Sequence, residues 1–312
     1  MSPELHIQPL DRTRDAAECA ALMVHVARPR ATRMTTRSTT SIAAAGFFVL
    51  CAGGIRAQEL PRATAQHGVF AFPDLSGTRL LAVPDLSQPA MLHTAFCTGG
   101  RRFSVRFESR QVEREGTQGR QSAYNFDKVA GSVFAIRQGA IGPGQEVAGV
   151  SCFLAGDSLL SSASWLPAKP SAGSNECGPD VRRRLASSRN RPVVHCWSIA
   201  GVPAGRRLVL GEFARQGKDA LASLVLLDRG RTIFADYPAM FRGAGQDLWR
   251  VDDGGVLSPA DFRVVFLLQR GDSYVLGASW AGTEGQSLAV FVSDDASRFR
   301  RVIGDYWYQA PF

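Results

Sequence analysis

Short apolar runs separated by tight turn signals dominate the second half of the chain. The turn signals, each containing Gly and most of them Asp, stand at residues 228–230, 252–255, 270–272 and 282–285. Turns of this composition between short apolar runs are typical of antiparallel hairpins. Their spacing predicts about seven strands between residues 222 and 308, and residues 67–165 show a looser form of the same pattern.

The apolar runs themselves also have the character of strands. Residues 103–110 alternate apolar and polar side chains, whereas residues 264–268 are continuously apolar, as in a strand buried on both faces. Only residues 180–189 resemble a short helix, with Asp180 in the first turn, and no long amphipathic helical repeat occurs. We therefore expect an all-β, predominantly antiparallel meander with at most one short helix near 180–189. It forms a sandwich or barrel, or two packed β halves.

A Pro-, Gly- and Ser-rich stretch at residues 166–175 divides the pattern. It predicts an N-terminal β half over residues 58–165, a connector with the short helix over 166–191, and a C-terminal β half over 192–312.

Residues 34–57 have the features of a secretory signal peptide. Arg37 precedes an apolar run at 42–55, and Ala57 precedes the polar Gln58, where we expect cleavage. The apolar run is too short to span a bilayer, and the alternatives are a buried core helix or a short anchor. Residues 1–33 do not resemble the start of a signal peptide and are expected to be a non-native or disordered extension. Lipid attachment at Cys51 is less favoured because the large Leu50 precedes it.

Cleavage would leave four cysteines, Cys97, Cys152, Cys177 and Cys196, and would lower the net charge from +8 to +5. An even number of cysteines in an exported chain favours disulfides. Three pairings are conceivable, and we favour Cys97–Cys152 with Cys177–Cys196 because each pair lies within one half. No cysteine pair has the short spacing of a zinc site, so neither a metal nor another cofactor is expected.

Residues 156–159 read Gly-Asp-Ser-Leu and are similar to the nucleophile block of a family of serine esterases. That family's Gly-x-Asn-Asp block is missing. Its base histidine has an Asp three positions earlier, whereas Pro192 stands before His195, which is the only histidine after Ser158. Because a serine needs a base and an oxyanion site, we interpret the string as a turn and His195 as structural. The catalytic residues therefore remain unknown.

We also interpret the charged clusters in terms of turns and a helix. The acidic pairs 252–253 and 294–295 fit hairpin turns, because neighbouring residues on a strand point to opposite faces. The basic run 182–184, with Arg189 and Arg191, fits either a solvated helix or a patch for an acidic polymer or lipid headgroups. No aromatic residues are interleaved with it, so nucleic acid is not expected as a partner.

Aromatic residues near the end of the chain form the one candidate binding surface. On a strand, alternation places Trp307 on one face and both Tyr306 and Tyr308 on the other. With Trp280 or Trp249 beside them, the tyrosines could stack on a sugar or a peptide, and core packing is the alternative role. This terminal segment also resembles the closing strand of outer-membrane barrels, although Pro311, the cysteines and the scarcity of tyrosine argue against that class.

The sequence thus predicts a protein exported to the periplasm or beyond the cell, without a transmembrane helix in the mature chain. Since no motif for nucleophilic, metal or phosphate chemistry is complete, we expect a non-catalytic binding or envelope-associated module with an unknown envelope or extracellular ligand. The alternatives are a secreted hydrolase whose site is assembled only in the fold and, third, an outer-membrane β-barrel.

Overall fold

The computed structural model describes residues 68–83, 86–142, 147, 149–171, 176–240, 257–282, 284–293 and 297–309. The all-β prediction is confirmed, since the described residues form mostly antiparallel sheet and only one helix of seven or more residues. Several sequence predictions lie outside the described residues: the leader over 34–57, Cys51, Trp249, the acidic pairs 252–253 and 294–295, and the turn at 252–255. Within the described residues, no helix is both long and apolar enough to cross a membrane.

The first six strands close into a small antiparallel barrel in the order β1-β2-β5-β4-β3-β6. The strands are β1 (Val69–Pro73), β2 (Arg79–Ala82), β3 (Thr94–Cys97), β4 (Arg101–Gln111), β5 (Gly131–Ile136) and β6 (Cys152–Ala155). Side chains such as Leu80, Phe134 and Leu154 fill its interior. Short 3₁₀ turns at Pro89–Met91 and Ala123–Lys128 lie between its strands.

Two five-stranded sheets follow the barrel. The central sheet has the order β16-β15-β14-β13-β7, and the outer sheet has the order β12-β11-β10-β9-β8. The central sheet contains β7 (Ser164–Trp165), β13 (Phe262–Arg270), β14 (Ser273–Gly282), β15 (Gly285–Ser293) and β16 (Phe299–Tyr308). The outer sheet contains β8 (Lys169–Pro170), β9 (Val193–Val202), β10 (Arg206–Gln216), β11 (Asp219–Asp228) and β12 (Arg231–Met240). A 3₁₀ turn at Pro259–Asp261 precedes β13.

Strands β13 and β14 of the central sheet are buried on both faces. On one face Val265, Leu268 and Trp307 pack against barrel phenylalanines such as Phe70. On the opposite face Leu267 and other side chains pack against the outer sheet. This explains the continuous apolar run at residues 264–268, because a strand between two layers has no solvent side.

Helix α2 (Pro179–Arg189) covers the remaining face of the outer sheet, and the one-turn helix α1 (Asp157–Leu160) follows β6. Val181 and Leu185 of α2 pack against Phe213, Val225 and other residues of that sheet. The helix ends at Asn190, which takes the left-handed conformation common at helix C-termini. The predicted helix at 180–189 therefore forms, one residue longer at its start.

Both disulfides form in the pairing that the sequence favoured. Cys97 and Cys152 are direct cross-strand partners on β3 and β6, so their bond fastens one seam of the barrel. Cys177 lies just before α2 and is bonded to Cys196 on β9, which fastens the helix to the outer sheet.

A buried ion pair in the outer sheet is hydrogen-bonded to a tyrosine of the central sheet. The Nε atom of Arg206 on β10 lies 2.9 Å from Oδ1 of Asp228, and the Tyr274 hydroxyl donates to Asp228 Oδ2 at 2.6 Å. Arg206 and Asp228 belong to the outer sheet and Tyr274 to the central sheet. Burial is the principal cause that raises the pKa of Tyr274, and its hydrogen bond to Asp228 raises the pKa further.

Candidate functional site

One cross-strand row on the central sheet brings together the predicted aromatic residues. Trp280 on β14 pairs with Ser287 on β15, and Ser287 pairs with Tyr306 on β16. Directly paired residues of antiparallel strands share a face. Trp280, Ser287 and Tyr306 therefore lie side by side, although 26 positions separate the two aromatic residues in the sequence.

This row forms part of the wall of an open groove of about 690 Å³. The groove is lined by Trp280, Ser287, Leu288 and the β16 residues 301–306. Tyr306 is 45% exposed, so its ring is accessible, whereas Trp280 is only 7% exposed and presents little of its surface. The accessible aromatic surface of the groove is therefore mainly that of Tyr306.

Two glycines lie beside side chains of the groove. A Cβ atom on Gly285 would lie 2.8 Å from the Tyr306 hydroxyl oxygen, closer than nonbonded atoms approach, so the tyrosine ring lies against this glycine. A Cβ atom on Gly304 would lie 3.6 Å from Nε of Arg301, so the Arg301 side chain lies next to Gly304. The groove thus has an aromatic ring toward one end of β16 and a guanidinium group toward the other.

Asp305 supplies the only carboxylate in the described lining of the groove. It accepts a hydrogen bond from the backbone N–H of Tyr306 at 2.8 Å and another from the side chain of Trp307. Burial raises the pKa of Asp305, and these two hydrogen bonds oppose the rise. Asp305 is also the cross-strand partner of Leu288, so its carboxylate is held on the face of β16 that Trp307 occupies, opposite Tyr306.

Trp280 is anchored from the opposite layer. Its indole N–H donates to the hydroxyl of Tyr237 on β12, and the two ring centroids lie 5.6 Å apart. Burial raises the pKa of Tyr237, and this hydrogen bond lowers it in part. Trp280 also stacks on Phe262 at 6.3 Å. Trp280 is therefore mainly a core residue, and only one edge of its side chain lines the groove.

The neighbouring terminal residues follow the predicted alternation. Trp307 is 2% exposed and packs edge-on against Phe70 and Phe72 of the barrel, on the face opposite Tyr306. Tyr308 shares the face of Tyr306 but is half-buried, and its backbone exchanges hydrogen bonds with Gln121. The structure thus places Trp280 and Tyr306 in one groove and Tyr308 one row beyond its lining.

The Gly-Asp-Ser-Leu string forms the start of α1, directly after β6. The histidine beside it is His93, whose Nε2 lies 3.0 Å from Oδ1 of Asp157, and this pair is exposed. A Cβ atom on Gly156 would lie 2.3 Å from the Met91 carbonyl oxygen, so packing alone requires glycine here. Ser158 lies on α1, whereas His195 lies on β9 of the outer sheet.

His195 is exposed and stacks on Trp197, with ring centroids 5.3 Å apart. Glu212 is its cross-strand partner on β10. Burial raises the pKa of Glu212, and the nearby His195 lowers it in part. Among the described residues, no group of three or more His, Cys, Asp or Glu side chains is arranged to hold a metal ion.

Sequence reasoning missed Ser287, Arg301 and Asp305. Hairpin arithmetic could have found Ser287, because Trp280 and Ser287 are equally distant from the turn at 282–285. The same count, started from the β15–β16 turn, reaches Arg301 opposite Phe291. It fails for Asp305, because a register shift between Val290 and Phe291 lies between the turn and that residue.

Comparison of the chain with protein-family models, curated protein sequences and solved structures finds no match.

Proposed function

We propose that this chain is an exported, non-catalytic binding module and that the groove along β14–β16 binds saccharide. The observation that carries the proposal is the cross-strand row in which Tyr306 presents an accessible ring beside Ser287. An aromatic face stacks on the C–H face of a sugar ring, while neighbouring polar groups bind its hydroxyls.

The polar groups around Tyr306 suit a ligand rich in hydroxyls. Arg301 donates hydrogen bonds, and the Ser287 hydroxyl both donates and accepts them. The groove is open and runs along the edge strand β16. This shape suits a saccharide chain better than a small molecule, which needs an enclosed site. A peptide would be expected to add a strand to the edge of β16 instead, using backbone hydrogen bonds.

A binding role fits the groove better than the hydrolase alternative does. Glycoside hydrolysis generally uses two carboxyl groups on either side of the scissile bond, and Asp305 is alone in the described lining. Export is supported by the signal-peptide pattern of residues 34–57 and is compatible with the two disulfides.

The test is a glycan and lipid binding screen followed by titration calorimetry with the best soluble saccharide. Tyr306→Ala should weaken binding by roughly tenfold because it removes the stacking surface. Tyr306→Phe should retain most of the affinity, since it keeps the ring. Tyr124→Ala is the matched control, because Tyr124 is an exposed tyrosine on the 3₁₀ turn Ala123–Lys128 of the barrel region.

If no envelope saccharide binds, or if Tyr306→Ala and Tyr124→Ala behave alike, the proposal is wrong. Release of shortened products from the bound saccharide would instead support the hydrolase. N-terminal sequencing of exported material tests the export proposal separately, with Gln58 as the expected first residue; intact residues 1–57 would contradict it.

A further inference from the structure

The basic run of α2 does not act as one patch in the folded protein. Arg182 donates to the carbonyls of Val193 and Val194, and Arg183 pairs with Asp180. The remaining two arginines of the patch are also engaged: Arg189 pairs with Asp236, and Arg191 donates to the Asp219 carbonyl. The exception is Arg184, which lines a pocket.

That pocket, of about 220 Å³, lies where three elements meet at one end of the outer sheet. Arg184 comes from α2, Arg207 from β10 and Arg229 from the turn between β11 and β12. Asp180, Val181, Gly205, Leu227 and Asp228 complete the lining. Three arginines from separate elements thus line a space large enough for one small ligand group.

Arginines outside the lining pair with both of its carboxylates. Asp228 pairs with the buried Arg206 and accepts from Tyr274, and Asp180 pairs with Arg183. Among the described residues, no ion pair joins Arg184, Arg207 or Arg229 to a carboxylate. The charges of the three lining arginines are therefore not neutralised by neighbouring acids.

Arg184 is anchored beside the pocket, because its Nε donates to the Thr232 hydroxyl. The first turn of α2 also faces this pocket through Asp180 and Val181, and its cap residue Gly178 supplies no side chain to the helix amides. Helix amides and guanidinium groups both favour an oxyanion.

The conformation of Arg229 adds an independent argument. Arg229 and Gly230 form a two-residue hairpin turn with φ values of 38° and 90°. Such turns strongly favour Asn or Asp at the first position, because other side chains are strained in the left-handed region. The chain nevertheless places an arginine there, with its side chain lining the pocket.

From these observations we infer that this pocket is a binding site for a phosphate monoester group. The planar fork of arginine matches two oxygens of a phosphate, and three arginines line the space. The phosphate can be carried by a small solute or by a lipid headgroup. The site shares no residue with the β14–β16 groove and does not depend on the saccharide proposal.

The experiment measures binding of inorganic phosphate by calorimetry and of phosphatidylcholine vesicles, with and without phosphatidic acid, by flotation. The decisive variant is Arg229→Asn, which places a turn-favouring residue at the strained position. It should leave the thermal midpoint unchanged or raised, while phosphate binding weakens at least about tenfold. Arg207→Gln should weaken binding similarly. Arg106→Asn, at an exposed position on β4, is the control of equal charge change.

Binding of both probes, or of one of them, supports the site when Arg229→Asn weakens it and Arg106→Asn does not. Phosphate alone then identifies a soluble ligand, and phosphatidic acid vesicles alone identify a lipid headgroup. Binding of neither probe, or equal losses in Arg229→Asn and Arg106→Asn, overturns the inference. A thermal midpoint that falls in Arg229→Asn together with binding also overturns it, because Arg229 would then be structural.

Discussion

Replacing Asp228 by Asn should destabilise the protein strongly. The side chains of Arg206 and Asp228 are only 8% and 7% exposed, so the substitution leaves the Arg206 cation buried without its counter-charge. Breaking a buried ion pair from one side costs about 3–5 kcal/mol of unfolding free energy. Tyr274→Phe keeps the ion pair and removes only the hydroxyl, so we expect a smaller loss of about 1.5–3 kcal/mol.

The assay is urea unfolding with both disulfides oxidised. The midpoints of the variants are compared where the unfolding free energy has the same slope against urea concentration. A double variant, Arg206→Met with Asp228→Leu, is the informative control because it removes both charges. It should be less destabilised than Asp228→Asn, since no charge remains buried alone. The reasoning is refuted if Asp228→Asn costs no more than Tyr274→Phe, or if the double variant is the least stable of the three.

Two further predictions concern stability. Replacing Cys177 and Cys196 together by Ser should lower the unfolding free energy by about 3 kcal/mol, because the bond closes a short loop with a sequence separation of 19; an unchanged urea midpoint would contradict this. Burial raises the pKa of Glu212 above its ordinary value of 4.5, so its ionised form is disfavoured in the folded state. Protonated Glu212 therefore stabilises the folded state at pH values below 4.5. This stabilisation is lost as the pH rises through the pKa that Glu212 has in the folded protein. Glu212→Gln should therefore raise the thermal midpoint at neutral pH, and this gain should shrink in acid; a pH-independent difference would argue against the linkage.

The two proposed sites can be tested independently. The groove uses β14–β16 of the central sheet, whereas the phosphate pocket uses α2, β10 and the β11–β12 turn. Because they share no lining residue, Tyr306→Ala should leave phosphate binding unchanged and Arg229→Asn should leave saccharide binding unchanged.

Local sequence rules account for the features that span a few residues. The turn signal at 228–230 fixes the pairing of β11 with β12, since a two-residue loop allows one register. Alternation correctly separated Trp307 from its neighbouring tyrosines. The same reasoning located the helix to within one residue, because its apolar positions and its end signals all lie within the segment itself.

Local sequence rules could not predict the features that are built from distant segments. The barrel closes through β6, which pairs with both β1 and β3, and these pairings span more than 50 residues of sequence. Strand β7 leaves the predicted N-terminal half to join the central sheet beside β13. No local signal encodes such pairings, because they are selected by the burial of whole faces.

Local patterns predict the class of fold, the alternation on its strands, the one substantial helix among the described residues and, through an even number of cysteines, the disulfides. The contacts of each arginine, and the pocket that three of them line, follow only from the packing of the layers. The basic run 182–184 stands out in the sequence, yet two of its three arginines make local contacts. The third, Arg184, lines a pocket together with Arg207 and Arg229, which come from other elements. Periodicity and turn chemistry are properties of neighbours along the chain. A site depends on distances across layers, which are fixed only when the layers pack.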